Sequence, residues 1–337
     1  MGHAARLVPI ANHLNKNGYR VFICANGAAL KLMQLECPYA TFVDDIPLEI
    51  TYSKNSLKTA LKLLLKLPLL LKHVYDEHQL LKKIVQEHNI DLILSDNRYG
   101  FYHSSVPCIF ITHQLHIHVP FAGSLVNFLN HYFIKKFNEC WIPDYEQDSI
   151  ALAGKLSRNY QFKNVKYIGI LSRFAIAKST IDSKAPVLYL LSGVEPQRTM
   201  LEKMILKRHA QLPHQAILIR GSTNTREAIT PKHNLIVYEI CDAKQLQNLV
   251  AACKYVVCRS GYSSVMDAVR WQKNALIIPT PGQFEQIYLA QYLSDKKWFY
   301  TLNQELFDGF NEGNLKSYQC PANIEFETNF EAMFANF

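Results

Sequence analysis

Short apolar runs rich in β-branched residues recur along this chain, each separated from the next by a stretch of helical periodicity, and that alternation leaves few folds open. In the first half the runs are Val21 to Ala25, Ile90 to Ser95, Cys108 to Thr112 and Val165 to Ile168. Between them lie helical stretches such as His73 to Gln86, and ahead of them Leu7, Ile10, Ala11 and Leu14 recur at helical spacing, with Pro9 in an early turn and Asn17-Gly18 as the stop. From Ser172 to Ala185 the apolar pattern lapses into small, polar and charged residues ending at Pro186. It then resumes with Val187 to Leu191, Ala216 to Arg220, Leu235 to Tyr238, Tyr255 to Cys258 and Ala275 to Pro279. Strands alternating with helices build parallel, doubly wound sheets. The expectation is therefore an α/β chain with a first domain over 1–171, a linker over 172–185, a second domain over 186–318 and a tail over 319–337. At 337 residues and 49% hydrophobic content, there is material for two cores. Ligands bind at the carboxyl ends of parallel strands, so the chemistry is sought just after each strand.

A net charge of +8 favours anionic partners. Nucleic acid is not expected, because there is no arginine-rich run, zinc-finger spacing or ribonucleoprotein aromatic motif. Eight scattered cysteines without a CxxC pair read as buried thiols in a reducing cytosol. No window supplies the roughly twenty uncharged apolar residues of a membrane span, so the expected location is cytoplasmic. Peripheral contact with the inner face of a membrane stays open. From Ser56 to Lys72, Lys58, Lys62 and Lys66 form a basic stripe beside leucines as far as Pro68, which suits either an interfacial helix or a helix packed on the first sheet. Leu125 to Phe137, ending in Lys135-Lys136, carries the same pair of readings. His113, His116 and His118 lack the carboxylates or cysteines that would complete a metal site, so no metal is expected.

The stretch from Cys258 to Gln286 carries the most chemistry. A strand ends in Arg259-Ser260-Gly261, and Ser263 and Ser264 open a helix whose free amides can hold a diphosphate. One turn in, Asp267 can accept hydrogen bonds from ribose hydroxyls. After the next strand, the turn Pro279-Thr-Pro-Gly-Gln283 presents Glu285 and Gln286 to a polar ligand such as a sugar. This stretch resembles the donor-binding signature of glycosyltransferase family 28, the family of the enzyme that adds N-acetylglucosamine to the lipid intermediate of peptidoglycan. Gly2-His3-Ala-Ala-Arg6, Ser95 to Gly100 with Thr112-His-Gln114, and Ser192 to Arg198 resemble a bacterial, loosely defined branch of that group.

The resemblance implies a GT-B glycosyltransferase: two Rossmann-like domains facing a cleft, with a UDP-sugar as substrate and no cofactor. By the same analogy Ser192 and Gly193 contact the donor phosphates and His3 lies on the acceptor side; His3, Asp96 and His113 are the candidate catalytic groups. The chemistry implied is a single metal-independent displacement at the anomeric carbon, a base taking the acceptor proton. The Asp-x-Asp triplet typical of metal-dependent GT-A enzymes does not occur. The acceptor would be a lipid-linked or envelope glycan precursor.

There are departures. Family members place a hydrophobic strand and a glycine-rich turn before the glycine-histidine step, whereas this chain reads Met1-Gly2-His3. A first sheet without that central strand would lose more than the usual margin of about 5 to 15 kcal/mol unless something compensates. The expectation is a start further upstream, or a damaged relative. Asp267 replaces a glutamate, and the phosphate turn has one glycine rather than two. A nucleotide-sugar 2-epimerase, which shares the architecture, and an inactive nucleotide-sugar-binding relative are the competing functions.

Overall fold

The computed structural model describes residues 2–47, 65–119, 123–158, 162, 164–177, 185–210, 212, 214–221, 234–321, 328–335 and 337. The stripe from Ser56 lies outside these residues up to 64, as does the linker over 178–184.

The chain opens with a helix, Gly2–Lys16, which starts a turn and a half earlier than its apolar spacing implies. It ends where Asn17-Gly18 predicts: the Asn17 amide donates to His13 O (3.1 Å), and Gly18 takes the left-handed conformation (φ +85°) that favours glycine. Its buried residues serve two clusters. Ala4, Val8 and Ala11 pack with Ile23, Leu32 and Met33, whereas Ile10 and Leu14 pack with Ile109, Ile111 and Trp141.

Strands β1 (Phe22–Cys24) and β2 (Thr41–Val43) pair with each other in parallel; β3 (Ile93–Asp96), β4 (Cys108–Ile111), β5 (Glu139–Ile142) and β6 (Val165–Tyr167) form a separate four-stranded parallel sheet. Among the described residues no ladder joins β1 to β3. Side chains link the two instead. Arg98, just past β3, donates through Nη1 to Cys24 O (3.3 Å), through Nη2 to Asp45 Oδ1 (2.6 Å) and through Nε to Glu77 Oε1 (2.8 Å), the last on the helix Leu67–His88.

The second domain has one continuous parallel sheet in the order β12-β11-β10-β7-β8-β9, built from β7 (Val187–Leu190), β8 (Ala216–Ile219), β9 (Leu235–Tyr238), β10 (Val256–Arg259), β11 (Ala275–Ile278) and β12 (Tyr300–Thr301). Successive side chains point to opposite faces, as the strand period of two requires. Leu188, Ile217, Val256, Cys258 and Ile277 enter one core; Val187, Tyr189, Leu218, Val257 and Leu276 enter the other. Both faces are covered, which is why these strands read as unbroken apolar runs. Strand order reverses between β7 and β10, so the crevice opens past their carboxyl ends.

The domains are joined by more than a linker. Asp144, fully buried after β5, accepts from the amides of Leu152 (2.7 Å) and Ala153 (3.1 Å) and from Ser157 Oγ (2.7 Å), folding a loop whose Leu152, Ala153 and Leu156 enter the second domain's core. Phe174 and Ala177, from the stretch expected to be linker, pack there too. The tail returns to the first domain, where the helix Phe330–Phe334 sets Phe334 edge-on against Trp141 (5.2 Å).

Candidate active site

Because the first helix begins at Gly2, His3 and Arg6 stand one turn apart on the same face, over the carboxyl ends of β3 and β4. Asp96 closes β3, and His113 follows β4. Asp96 accepts from Arg6 Nε at Oδ2 (2.7 Å) and from Arg6 Nη2 at Oδ1, and its Oδ1 lies 2.8 Å from His3 Nδ1. Burial raises the Asp96 carboxyl, but the Arg6 guanidinium and then His3 outweigh it and hold Asp96 far below the usual carboxylate range. His3 Nδ1 lies between the Asp96 carboxylate and Arg6 Nη2, which is 3.1 Å away, so Nδ1 is the held end of the ring. The His3 side chain is 57% exposed, the Asp96 side chain 4%. One end of the imidazole is anchored and the other is open: the arrangement of a general base.

His113 is placed differently. Its Nδ1 lies 3.1 Å from Arg6 Nη1, its Nε2 lies 2.9 Å from Glu285 Oε1 across the cleft, and its ring stacks on Tyr262 at 4.1 Å. Burial pushes the imidazole below its ordinary pKa; Glu285 opposes that, and Arg6 and His3 add to it. With both nitrogens engaged, His113 offers no lone pair to an acceptor.

The second domain supplies the facing wall. Gly261 caps the helix Tyr262–Trp271, whose amino end meets the amino end of the first helix. Ser263 Oγ donates to Gly2 O (2.9 Å), and a Cβ on Gly2 would stand 3.2 Å from that hydroxyl. Two positive helix ends converge there, a setting that favours an anion. Across the switch point, Ser192 and Gly193 follow β7, and Gly193 has φ +101°, a backbone that side chains rarely adopt. Ser264 is half-buried on the capped turn.

Other expected donor residues are engaged within the protein. Arg259 is 1% exposed and donates to Gln197 O (2.8 Å), Gln304 Oε1 (2.7 Å) and Pro279 O (3.3 Å), with burial lowering its pKa to about 10. Ser260 Oγ donates to Gln286 O (2.8 Å). The Gln286 amide shapes the turn before it, accepting from Thr280 N (2.9 Å) and donating to Gln283 Oε1. Asp267 accepts from Ser172 Oγ (2.7 Å); burial raises its carboxyl to about 6, against the opposing effects of Ser172 and Arg173. Glu285 accepts from Gln114 Nε2 as well as facing His113; burial raises its carboxyl, but the contact with His113, together with His3 and Arg6, outweighs that and holds it below its ordinary value.

His3, Asp96, His113 and Glu285 thus meet in one network, while Ser192 and Gly193 line the opposite lip of the crevice. Arg6, Gln114 and Tyr262 join that network without having been singled out. Spacing could have flagged Arg6, since a helix run back to Gly2 places it one turn from His3.

Two parallel, doubly wound domains meeting at the carboxyl ends of their strands define the GT-B class. The chain belongs to glycosyl transferase family 1, whose family model matches residues 1–315, and it is a glycosyltransferase. Among solved structures it is similar to the spinosyn rhamnosyltransferase SpnG, at 15% identity over 94% of this chain and 91% of that one, with a TM-score of 0.60. It is similar also to Acinetobacter baumannii MurG, at 12% identity over 97% and 93% with a TM-score of 0.55. A putative UDP-N-acetylglucosamine 2-epimerase from Listeria monocytogenes shares the fold at 11% identity over 100% and 94%, with a TM-score of 0.60. No curated protein matches the sequence.

Proposed function

We propose that this glycosyltransferase moves an N-acetylhexosamine or hexose from a UDP-sugar to an acceptor hydroxyl by direct displacement, without a metal. The carrying observation is the His3–Asp96 pair, with Nδ1 anchored at 2.8 Å and the rest of the imidazole open beside the converging helix ends. The diphosphate sits against the amino end of the helix Tyr262–Trp271 and the Ser192-Gly193 turn, held by backbone amides and Ser263 and Ser264. Asp267 takes the ribose in place of Ser172, and Glu285 with Gln286 reads the sugar, Glu285 exchanging its bonds to His113 and Gln114, and Gln286 its bond to Gln283, for sugar hydroxyls. His3 Nε2 accepts the acceptor's proton as the new glycosidic C–O bond forms. The bond from the anomeric carbon to phosphate breaks, and UDP leaves carrying the electron pair. One displacement inverts the anomeric centre.

The SpnG structure complexed with thymidine diphosphate supports a nucleoside diphosphate in this class of site. Calorimetric titration with UDP, UDP-N-acetylglucosamine and a purine diphosphate tests the donor. Selective uridine binding that weakens in Asp267→Ala, with UDP-N-acetylglucosamine binding but not UDP binding weakened in Glu285→Ala, supports the reading, and a folded chain that binds no nucleotide rejects it. Product analysis separates transfer from epimerisation, which releases no UDP.

An acceptor on a lipid is favoured by the first domain's surface. Leu125, Phe128 and Tyr132 share one face of the helix Gly123–Ile134 and are 47%, 65% and 51% exposed, near Lys135 and Lys136 in sequence. Exposed Leu65, Leu69 and Tyr75 with Lys66 and Lys72 add a second such surface. Aromatic and leucine side chains beside lysines suit an anionic leaflet. Sedimentation with phosphatidylglycerol vesicles, lost on Phe128→Glu, checks it.

A further inference from the structure

Arg6 stands between the two halves of the site, 2% exposed, with every guanidinium nitrogen committed. Nε and Nη2 donate to the two oxygens of Asp96, and Nη1 lies 3.1 Å from His113 Nδ1. A guanidinium has donors only, so His113 Nδ1 must accept and the imidazole proton sits on Nε2, facing Glu285 Oε1 at 2.9 Å. We propose that Arg6 is a positioning residue: it fixes the Nε2–H tautomer of His113, and through it aims Glu285 across the cleft while anchoring Asp96 behind His3. The inference rests on the proposed roles of Glu285 and His3.

The groups around His113 agree with it. From the first helix come Arg6 and His3, both opposing a positive imidazole; from the second domain come Glu285, which favours one, and Tyr262, stacked flat on the ring. Gln114 shares Glu285. Arg6 acting on Nδ1 and the Glu285 carboxylate acting on Nε2 both call for the proton on Nε2, and Arg6 is the one of the two that also holds Asp96.

The test needs no substrate. Nitrogen-15 imidazole spectra of the full chain are expected to show His113 neutral at pH 7 with the proton on Nε2. Glu285→Ala should leave that tautomer in place. Arg6→Lys keeps the charge but cannot span Asp96 and His113 together, so it should mix the tautomers. UDP binding in that variant should stay within about two-fold of the parent. A proton on Nδ1, or an imidazolium, in the unaltered chain overturns the proposal even if Arg6→Lys does not fold. So does a tautomer that survives Arg6→Lys or is lost in Glu285→Ala. Absence of UDP-sugar turnover with the expected tautomer intact would retire the catalytic reading and leave this inference standing.

Discussion

The second domain's sheet runs unbroken through six strands, whereas the first domain's is divided between β1 and β3. Both present a site past the carboxyl ends of their strands, but the means of support differ. In the second domain, backbone ladders between β7, β10 and β11 fix the crevice. In the first, the ladder stops: Arg98 pairs across the gap with Asp45 and with Glu77, while the first helix packs on both sheets and its Arg6 pairs with Asp96. Backbone ladders are indifferent to moderate pH, whereas buried pairs leave costly unpaired charges when one partner is removed. The second domain's face of the cleft is thus built for rigidity, and the first domain's face depends on charge.

The largest expected effect comes from breaking the staple. Arg98→Ala leaves Asp45 and Glu77 without their cation and should cost about 3 to 5 kcal/mol in denaturant unfolding. The loss should fall on the first domain, with UDP binding retained by the second. A loss below about 1 kcal/mol, within the range of a surface pair, would break the comparison.

Acid should separate the domains next. Asp96 has a depressed pKa, so its stabilisation is complete above the unfolded carboxylate value of about 4 and is lost as pH falls below it. First-domain amides should therefore lose hydrogen-exchange protection before those of β7 and β10 as the solution is acidified. Equal loss in both would contradict the division.

A smaller effect of opposite sense belongs to Asp267, whose carboxyl is raised to about 6. Burial makes its charged form unfavourable, so folding gains stability as pH falls through 6. On the proposed reading, in which Asp267 takes the ribose as an anion, UDP affinity should weaken over that same interval, and Asp267→Asn should flatten the dependence. The smallest effect is Glu285→Gln, which should leave UDP affinity within about two-fold but reduce selectivity among UDP-sugars by about ten-fold. A change in UDP affinity larger than the change in selectivity would move Glu285 out of the sugar subsite.

The second domain was the more legible in sequence, for the same reason that it is the more regular. Its strands are buried on both faces, and Leu235 to Tyr238 was read with the bounds of β9. In the first domain, β5 has no clear sequence signal: Glu139–Ile142 offers three apolar residues behind Lys135-Lys136, and it is a strand because β4 and β6 pair with it on either side. Thr41–Val43 was missed for a like reason, as a three-residue strand paired to β1 alone. The stretch from Cys258 to Gln286 is legible because its parts are close in sequence. Arg6 to Asp96, Arg6 to His113 and His113 to Glu285 span 90, 107 and 172 residues, and no local pattern encodes such meetings. Arg259 shows the converse: its place at a strand end suggested a ligand contact, but its guanidinium bonds three groups of the protein itself.

The most direct test pairs two readings on His3→Gln: calorimetric binding of UDP, and release of UDP from UDP-N-acetylglucosamine and UDP-glucose with an acceptor supplied. A base on the first domain and a donor site on the second predict UDP binding within about two-fold of the parent and a rate lower by about 100-fold or more. A rate that survives within about ten-fold would contradict His3 as the base. Loss of UDP binding along with the rate would contradict the division of labour between the domains.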